Sequence, residues 1–515
     1  AVPPPMNSRE TPVVPGMPVV SNAAGHGTGH SRGAGPADVA AEPGRFEELV
    51  RRSPPLTLSL SLHILVLLAL AVWIVQPRRE AKLVLDLSFA APEVVEAVRP
   101  GVQVVPQPVK EPEPEDAKTT KPPEEKPKSS PPDGAELSEA PGATPAKTPA
   151  PSVATLLDGR KEGQRAACVQ AFGGSDATEA AVARALAWLA KQQDKKDGLW
   201  SLRRPYVDGG SQENRLAATA MALLAFQGAG NTPGAGNYRT VVKRGWEALV
   251  KKQLADGRFE FTPPIPSHHA LYSHAQATIA LCELYGMTRG EAHARPAQLA
   301  LDYAIAAQGS NGGWRYEPGH DGDMSVTGWY MMALKSGQMA GLEVPQTCFD
   351  RLESFLESVA VVDGKRYGYR VEAPGRQPAQ VTDAISAEGL LCRQYLGWRP
   401  GDRRLSAGLE RLLAAKLFNW ENDKDVYAWY YITQVAHHSG GDPWRRWNER
   451  MAAVLPAAQV KNDPEKGSWD PALDKWGHIG GRLFTTCFCT FMLEAYYRHL
   501  PLYAEEAVPA AMTSR

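Results

Sequence analysis

An all-α fold, an (α/α)6 toroid of six helical hairpins, is predicted for the C-terminal two-thirds of this 515-residue chain. Two observations predict it. A short pattern of Gln, a Gly turn and an aromatic residue recurs along the chain, which marks stacked supersecondary units. Between these turns, helices with one apolar stripe alternate with helices apolar on nearly every face. The first kind suits an outer layer and the second a buried inner ring. A single transmembrane helix and a disordered Pro-rich linker are predicted ahead of the toroid.

Composition sets the outer limits. A net charge of −1 and 43% hydrophobic residues exclude a collagen-like or wholly disordered chain and argue against a nucleic-acid partner. The chain begins at Ala1, so an initiator Met is removed or not included. Residues 1–54 start as Gly, Pro, Ala, Ser and His with few large apolar side chains, and a disordered tail is expected.

Residues 55–76 contain "LTLSLSLHILVLLALAVWIV", Leu56 to Val75, without a formal charge. A helix of that length covers about 30 Å, the hydrocarbon thickness of a bilayer. Trp73 with Arg78 and Arg79 suits one interface, and Arg51 with Arg52 the other. Because "VQPRRE" is no cleavage site, an uncleaved anchor is expected. Basic residues balance across the span, so charge does not set its orientation. Residues 77–160 follow as a linker in which Pro alternates with Glu and Lys, favouring an extended chain. Its stretch from Ala91 to Pro151 could reach on the order of 150 Å.

The "RRSPPLTLSLSLHILVLLAL" segment followed by Glu-Pro and Lys-Pro runs resembles the anchor of TonB-type energy transducers. Those carry Ser-x3-His in the membrane helix, and Ser59 and His63 stand at that spacing on one helix face. The resemblance implies a cytoplasmic N-terminus, an extracytoplasmic toroid at the inner membrane, and a proton-channel partner contacting Ser59 and His63. Read alone, His63 is equally a polar residue leaning toward the interface.

Within residues 161–503 the turns end at Trp200, Phe259, Trp314, Tyr369, Trp420 and Trp469, at intervals of 59, 55, 55, 51 and 49 residues. The apolar partners are "RLAATAMALLAF", "SHAQATIALCEL", "SVTGWYMMAL", "TDAISAEGLLCRQ", "VYAWYYITQV" and "RLFTTCFCTFMLEAYY". Gly supplies the left-handed turn, Gln can bond freed backbone groups, and the aromatic covers the junction. Residues 504–515 form a short tail.

Gln308, Gly312 and Trp314 match the Gln-x3-Gly-x-Trp signature of the squalene-cyclase and protein-prenyltransferase repeat families. Gln253, Gly257 and Phe259 match with one replacement, and the sets at Trp200 and Trp469 match with insertions. The toroid therefore resembles those families. Its tail, "GGRLFTTCFCTFMLEAYYRHLPLY", is similar to membrane-anchored repeat proteins of planctomycete type. The resemblance implies the fold, whereas many activities share that fold.

Chemistry is sought where the inner-helix N-termini converge on one mouth of the ring. Glu213, Asn214, His268, His269, His274, Asp321, Asp323, Asp383, Tyr427, His478 and Arg482 precede or open those helices. They read either as a site or as helix caps suited to the dipole. Asp323 with Asp321 are the candidate catalytic acids. His274, Asp383, Trp329, Tyr330, Tyr427 and His478 are the candidate ligand-binding residues.

The resemblance implies a class II cyclase acid in an Asp-x-Asp-Asp motif, and Asp321-Gly322-Asp323-Met324 keeps the central acid while Met324 replaces its neighbour. The departure favours binding of an apolar, lipid-like or isoprenoid ligand, or a peptide, in the ring's open central cavity, over cyclisation. A diverged terpene cyclase using Asp323 is the first alternative. A polysaccharide-acting enzyme pairing Asp321 or Asp323 with Asp383 is the second. No metal is expected, since Cys487 and Cys489 point to opposed helix faces, and no cofactor is implied. For topology, a periplasm-specific reporter fused after Pro151 should be active. Activity of a cytoplasm-specific reporter alone at that position would reverse the orientation.

Overall fold

The computed structural model describes residues 153, 155–371, 373, 375–415 and 418–503. These lie in a compact unit spanning residues 135–515. The tail 1–54, the 55–76 span with Ser59 and His63, most of the linker, and the tail 504–515 lie outside the described residues. Among the described residues no helix is long and apolar enough to cross a membrane.

After a 3-10 turn at Asp158–Arg160 and the short α1 (Gln164–Ala171), outer and inner helices alternate. The outer helices are α2 (Asp176–Gln192), α4 (Arg239–Lys251), α6 (Glu291–Ala306), α8 (Gln346–Val359), α10 (Arg403–Ala415) and α12 (Gly441–Ala458). The inner helices are α3 (Arg215–Gly228), α5 (Ser267–Thr288), α7 (Met324–Met339), α9 (Asp383–Tyr395), α11 (Val426–Ser439) and α13 (Gly477–Leu493), followed by α14 (Ala495–Arg498). Outer α4 buries only Val242, Gly245, Ala248 and Leu249, one stripe, whereas inner α9 buries every residue after Asp383. Each inner helix packs on the next, and α13 returns to α3, so the ring closes.

The recurring turn works as a strap between neighbouring units. Gln308 Nε2 donates to Gly312 O at 2.8 Å within its own turn and to Cys348 O of the following outer helix at 3.0 Å. Gln193 reaches Gly198 O and Val241 O in the same way, and Gln459 reaches Gly467 O and Ala181 O. The last of these joins the sixth unit to the first. The tryptophans are equivalent: Trp200, Trp314 and Trp469 each donate their indole N–H to a carbonyl of the preceding outer helix. Their backbone N–H groups meet Thr219, Thr327 and Thr486 on the inner helix.

Two turns differ from the sequence expectation. In the fourth, Tyr367 rather than Tyr369 is the buried aromatic, with its N–H on Ser386 Oγ. A two-stranded hairpin (β1, Ala360–Val361; β2, Arg366–Tyr367) carries Tyr367 into the core, and Tyr369, past its end, donates to Asp323. In the fifth, Phe418 is buried against Trp429 and Trp447, while Trp420 stays partly exposed. The fold also begins before residue 161, since Leu156 and Leu157 are core residues.

Glycine closes two kinds of junction. The seam between the sixth and first units pairs Gly209 with Gly481, where Cβ atoms would meet backbone, and Arg482 pairs with Asp208 across it. In the strap, Gly312 has φ +88° and a Cβ there would lie 2.0 Å from Arg351 O. Gly312→Ala therefore combines a left-handed strain with a backbone clash, and should cost about 3 kcal/mol or more. Gly319, φ +76° with open space around it, isolates the strain alone. Gly319→Ala should cost only about 1 kcal/mol. Urea unfolding of both variants checks the pair, and equal losses would deny the strap its role.

Candidate binding site at the mouth of the ring

The ring's centre is filled. Trp329 of α7 lies 6.1 Å from Tyr430 and from Tyr431 of α11, and 6.2 Å from Phe488 of α13, by ring centroids. Helices α7 and α13 are opposite members of a six-helix ring, so the Trp329–Phe488 contact spans its diameter. Trp329, Tyr431 and Phe488 are at most 1% exposed, which leaves no water-sized void against them. The expectation of an open central cavity therefore gives way to a plugged one.

The end away from the mouth is also closed, by a buried ionic knot. Arg160 Nη1 meets Glu283 Oε2 at 2.8 Å, Arg498 Nη1 meets Glu494 Oε2 at 3.0 Å, and His499 lies 3.1 Å from Glu283. Arg498 also donates to Leu224 O at the end of α3. Burial holds His437 and His499 down at about 4, so both are neutral at neutral pH. Removing one partner of such a knot typically costs about 3–5 kcal/mol, because its mate is left uncompensated.

Outside the bore, a cavity of about 1530 Å³ lies at the knotted end, lined by Arg160, Arg165, Asn231 and His293; at the opposite end is the mouth. Asp323 caps α7, with Oδ1 accepting from Val326 N at 3.0 Å and Ser325 Oγ at 2.8 Å. Its Oδ2 accepts from Tyr369 OH at 2.9 Å and lies 3.5 Å from Arg315 Nε. Tyr316 OH meets Tyr369 OH at 2.6 Å, and Tyr272 OH meets Ser325 Oγ at 2.5 Å. Burial raises the Asp323 carboxyl above its ordinary value, with those donors and Arg315 opposing it. Around this network stand half-buried rings of Tyr272, Tyr316, Tyr369, Tyr427 and Phe484, and the exposed Trp476 beside Tyr427 at 6.4 Å.

The sequence candidates divide among several places. Asp323, Tyr427 and the top of the Trp329 plug share the mouth. Asp321 is exposed and accepts from Ser310, and Asp383 is held by Arg411 of the neighbouring outer helix at 2.8 Å. Neither joins Asp323 in a pair. His274 lies between layers, packed on Phe259, Tyr303 and Tyr330, and is pushed down to about 4 by burial. It contacts Gly257 O at 3.3 Å, the carbonyl that the strap Gln contacts in other units. Tyr330 stacks on Trp314 at 5.0 Å and belongs to the same layer. His478 is exposed at the seam, where its carbonyl accepts from Ser211 N. Glu213 and Asn214 organise the first mouth loop, with Asn214 capping α3 and donating to Ser273 Oγ.

Sequence reasoning missed Glu388. It is fully buried on α9, and neither carboxyl oxygen has an aligned hydrogen-bond donor. Burial raises its carboxyl well above the usual range, with Asp323 and Asp425 adding to the rise and the nearby Tyr427 hydroxyl opposing it. The available signal was a lone acid inside "AISAEGLLC", an otherwise uncharged stretch.

For Asp323, the amide of Asp323→Asn can keep the cap on Val326, so stability should change by less than about 1 kcal/mol. Asp323→Ala loses the cap and strands the Tyr369 and Ser325 hydroxyls, costing about 2–4 kcal/mol. Urea unfolding at neutral pH separates the two. Equal costs would mean that charge, not capping, is the residue's structural role.

No protein-family model matches the chain, and no curated protein matches it. Among solved structures, the α-1,6-mannanase GH76A of Salegentibacter sp. HEL1_6 aligns with a TM-score of 0.46 at 12% identity, covering 62% of this chain and 99% of that one. Cellobiose 2-epimerase from Bacillus thermoamylovorans B4167 gives 0.44 at 12%, covering 61% and 96%. A type II terpene cyclase from Scytonema, bound to geranylgeranyl dihydroxybenzoate, gives 0.42 at 11%, covering 62% and 98%.

Proposed function

We propose that the chain is a membrane-anchored, extracytoplasmic binding protein whose helical ring holds a peptide-like ligand at its mouth. The observation that carries this is the aromatic plug. An isoprenoid tunnel needs an open bore, and Trp329, Tyr431 and Phe488 occupy it. Half-buried tyrosines and the exposed Trp476 offer instead a shallow, amphipathic surface of the kind that contacts extended chains.

The alternatives fit less well. A cyclase acid must give its proton to an alkene, and Asp323 spends its oxygens on capping α7 and accepting from Tyr369 and Ser325. A glycosidase needs two carboxyls facing across a groove, about 5–9.5 Å apart. Asp323 is buried and Asp383 is held by Arg411, so neither presents a free carboxylate. The anchor at Leu56–Val75 and the linker supply the membrane part of the proposal, with a tether on the order of 150 Å giving the ring reach. A proton-channel partner at Ser59 and His63 belongs to that part.

The test uses the full-length chain in nanodiscs against an array of 12-residue peptides, alongside incubation with squalene. Wild type should retain a subset of peptides, Trp476→Ala should weaken that retention about tenfold or more, and squalene should be recovered uncyclised. Cyclised squalene, or peptide retention indifferent to Trp476→Ala, would overturn the reading.

A further inference from the structure

We propose that Arg315 forms a carboxylate subsite on the wall of the mouth, gripping the chain end or an acidic side chain of the peptide-like ligand. The inference rests on the mouth being the binding site and names the charge recognised there. It begins from the direction of the hydrogen bonds around Asp323. Tyr369 OH donates to Asp323 Oδ2, so Tyr316 OH, 2.6 Å away, donates to Tyr369. Ser325 Oγ donates to Asp323 Oδ1, so Tyr272 OH, 2.5 Å away, donates to Ser325. Together with Val326 N, Tyr369 and Ser325 hold the carboxyl by aligned bonds, and the phenol protons of this network all point inward.

Arg315 is left over. Its Nε is buried 3.5 Å from Asp323 Oδ2, yet it has no aligned acceptor. Among the described residues neither Nη group makes a hydrogen bond, and only Nε is enclosed. The Arg315 side chain is 29% exposed against 0% for Asp323, so the acid lies beneath and the fork faces the solvent of the mouth. Tyr316 steadies the guanidinium, whose Cζ stands 4.9 Å from that ring's centroid. The acids further along the same loop are engaged elsewhere. Glu317 lies 3.6 Å from His320, and Asp321 accepts from Ser310.

What this guanidinium lacks is an anion on its outer side. The two oxygens of a carboxylate match its fixed fork and accept a pair of charge-assisted hydrogen bonds. Anchorage by Tyr316 and Asp323 holds the fork before a ligand arrives, which lowers the ordering cost of binding. Half-buried rings of Tyr272, Tyr316 and Tyr369 stand around it. A carboxylate carried on a peptide is therefore matched at its charge by Arg315 and at its apolar parts by the rings.

The experiment is calorimetry on the full-length chain in nanodiscs with three probes. These are N-acetyl-Trp-Tyr with a free C-terminal carboxylate, the same dipeptide as its C-terminal amide, and N-acetyl-Trp-Glu-Tyr amide. A carboxylate probe should bind about tenfold or more tighter than the dipeptide amide. Preference for the free acid alone fixes the recognised group as a chain end, and preference for the glutamate probe alone fixes it as an acidic side chain. Arg315→Gln should erase the preference while leaving amide binding as it was. Arg315→Lys, which keeps the charge without the fork, should retain only part of it. Wild type binding neither carboxylate probe more tightly than the amide would overturn the proposal, whatever the variants do. So would a preference that persists in Arg315→Gln. Peptide-array retention sensitive to Trp476→Ala would survive that failure, whereas loss of both would remove the mouth as a binding site.

Discussion

Contact across the ring between Trp329 and Phe488 constrains everything else in this molecule. Six inner helices packed side by side enclose a bore, and a bore must be either solvated or filled. Here α7, α11 and α13 fill it with Trp329, Tyr430, Tyr431 and Phe488, stacked and edge-on within about 5–6 Å of one another. Close packing of that kind removes the interior as a place for a ligand. The far end of the bore is knotted by Arg160, Glu283, Arg498 and Glu494, and the opposite end is the mouth where the helix N-termini gather.

The plug depends in turn on the straps. Inner helices meet at the centre only if the outer layer holds its circumference, and the turns set that length. Each strap Gln bonds a carbonyl of the next outer helix, while its Gly lets the turn lie directly on that helix's backbone. The recurring motif is thus a hoop, and the same residues would serve a ring of any function. This explains why the repeat announces the fold and says nothing of activity.

That division decides how much the sequence reveals. Trp200, Trp314 and Trp469 are legible because the strap needs Gln, Gly and an indole at fixed spacing. Tyr367 is not, because Tyr369, two residues on, offers a like ring at the more regular interval. Asp323 is legible as a cap from its place before an apolar helix. Its partner Tyr369 comes from the next unit, so no local spacing points to it. Asp383 looks like a mouth acid until Arg411, 28 residues on, takes it. Glu388 hides because a largely apolar helix invites attention to its pattern rather than to its one buried acid. Which aromatics fill the bore is a property of ring closure, and helix periodicity alone does not tell bore from interlayer: Trp329 enters the bore and Tyr330, one residue later, stacks on Trp314.

The two ends of the ring treat buried charge in opposite ways. At the closed end, arginines are matched to glutamates, with Glu494 Oε1 and Arg498 Nε left over. At the mouth, no cation among the described residues pairs with Glu388, and Asp323 lies 3.5 Å from Arg315. The claim beneath this account is that the bore is filled. Xenon pressurisation of crystals tests it most directly, since an apolar void takes up xenon. The account predicts no xenon among Trp329, Tyr431 and Phe488. A well-occupied xenon site there would reveal an internal cavity and contradict it.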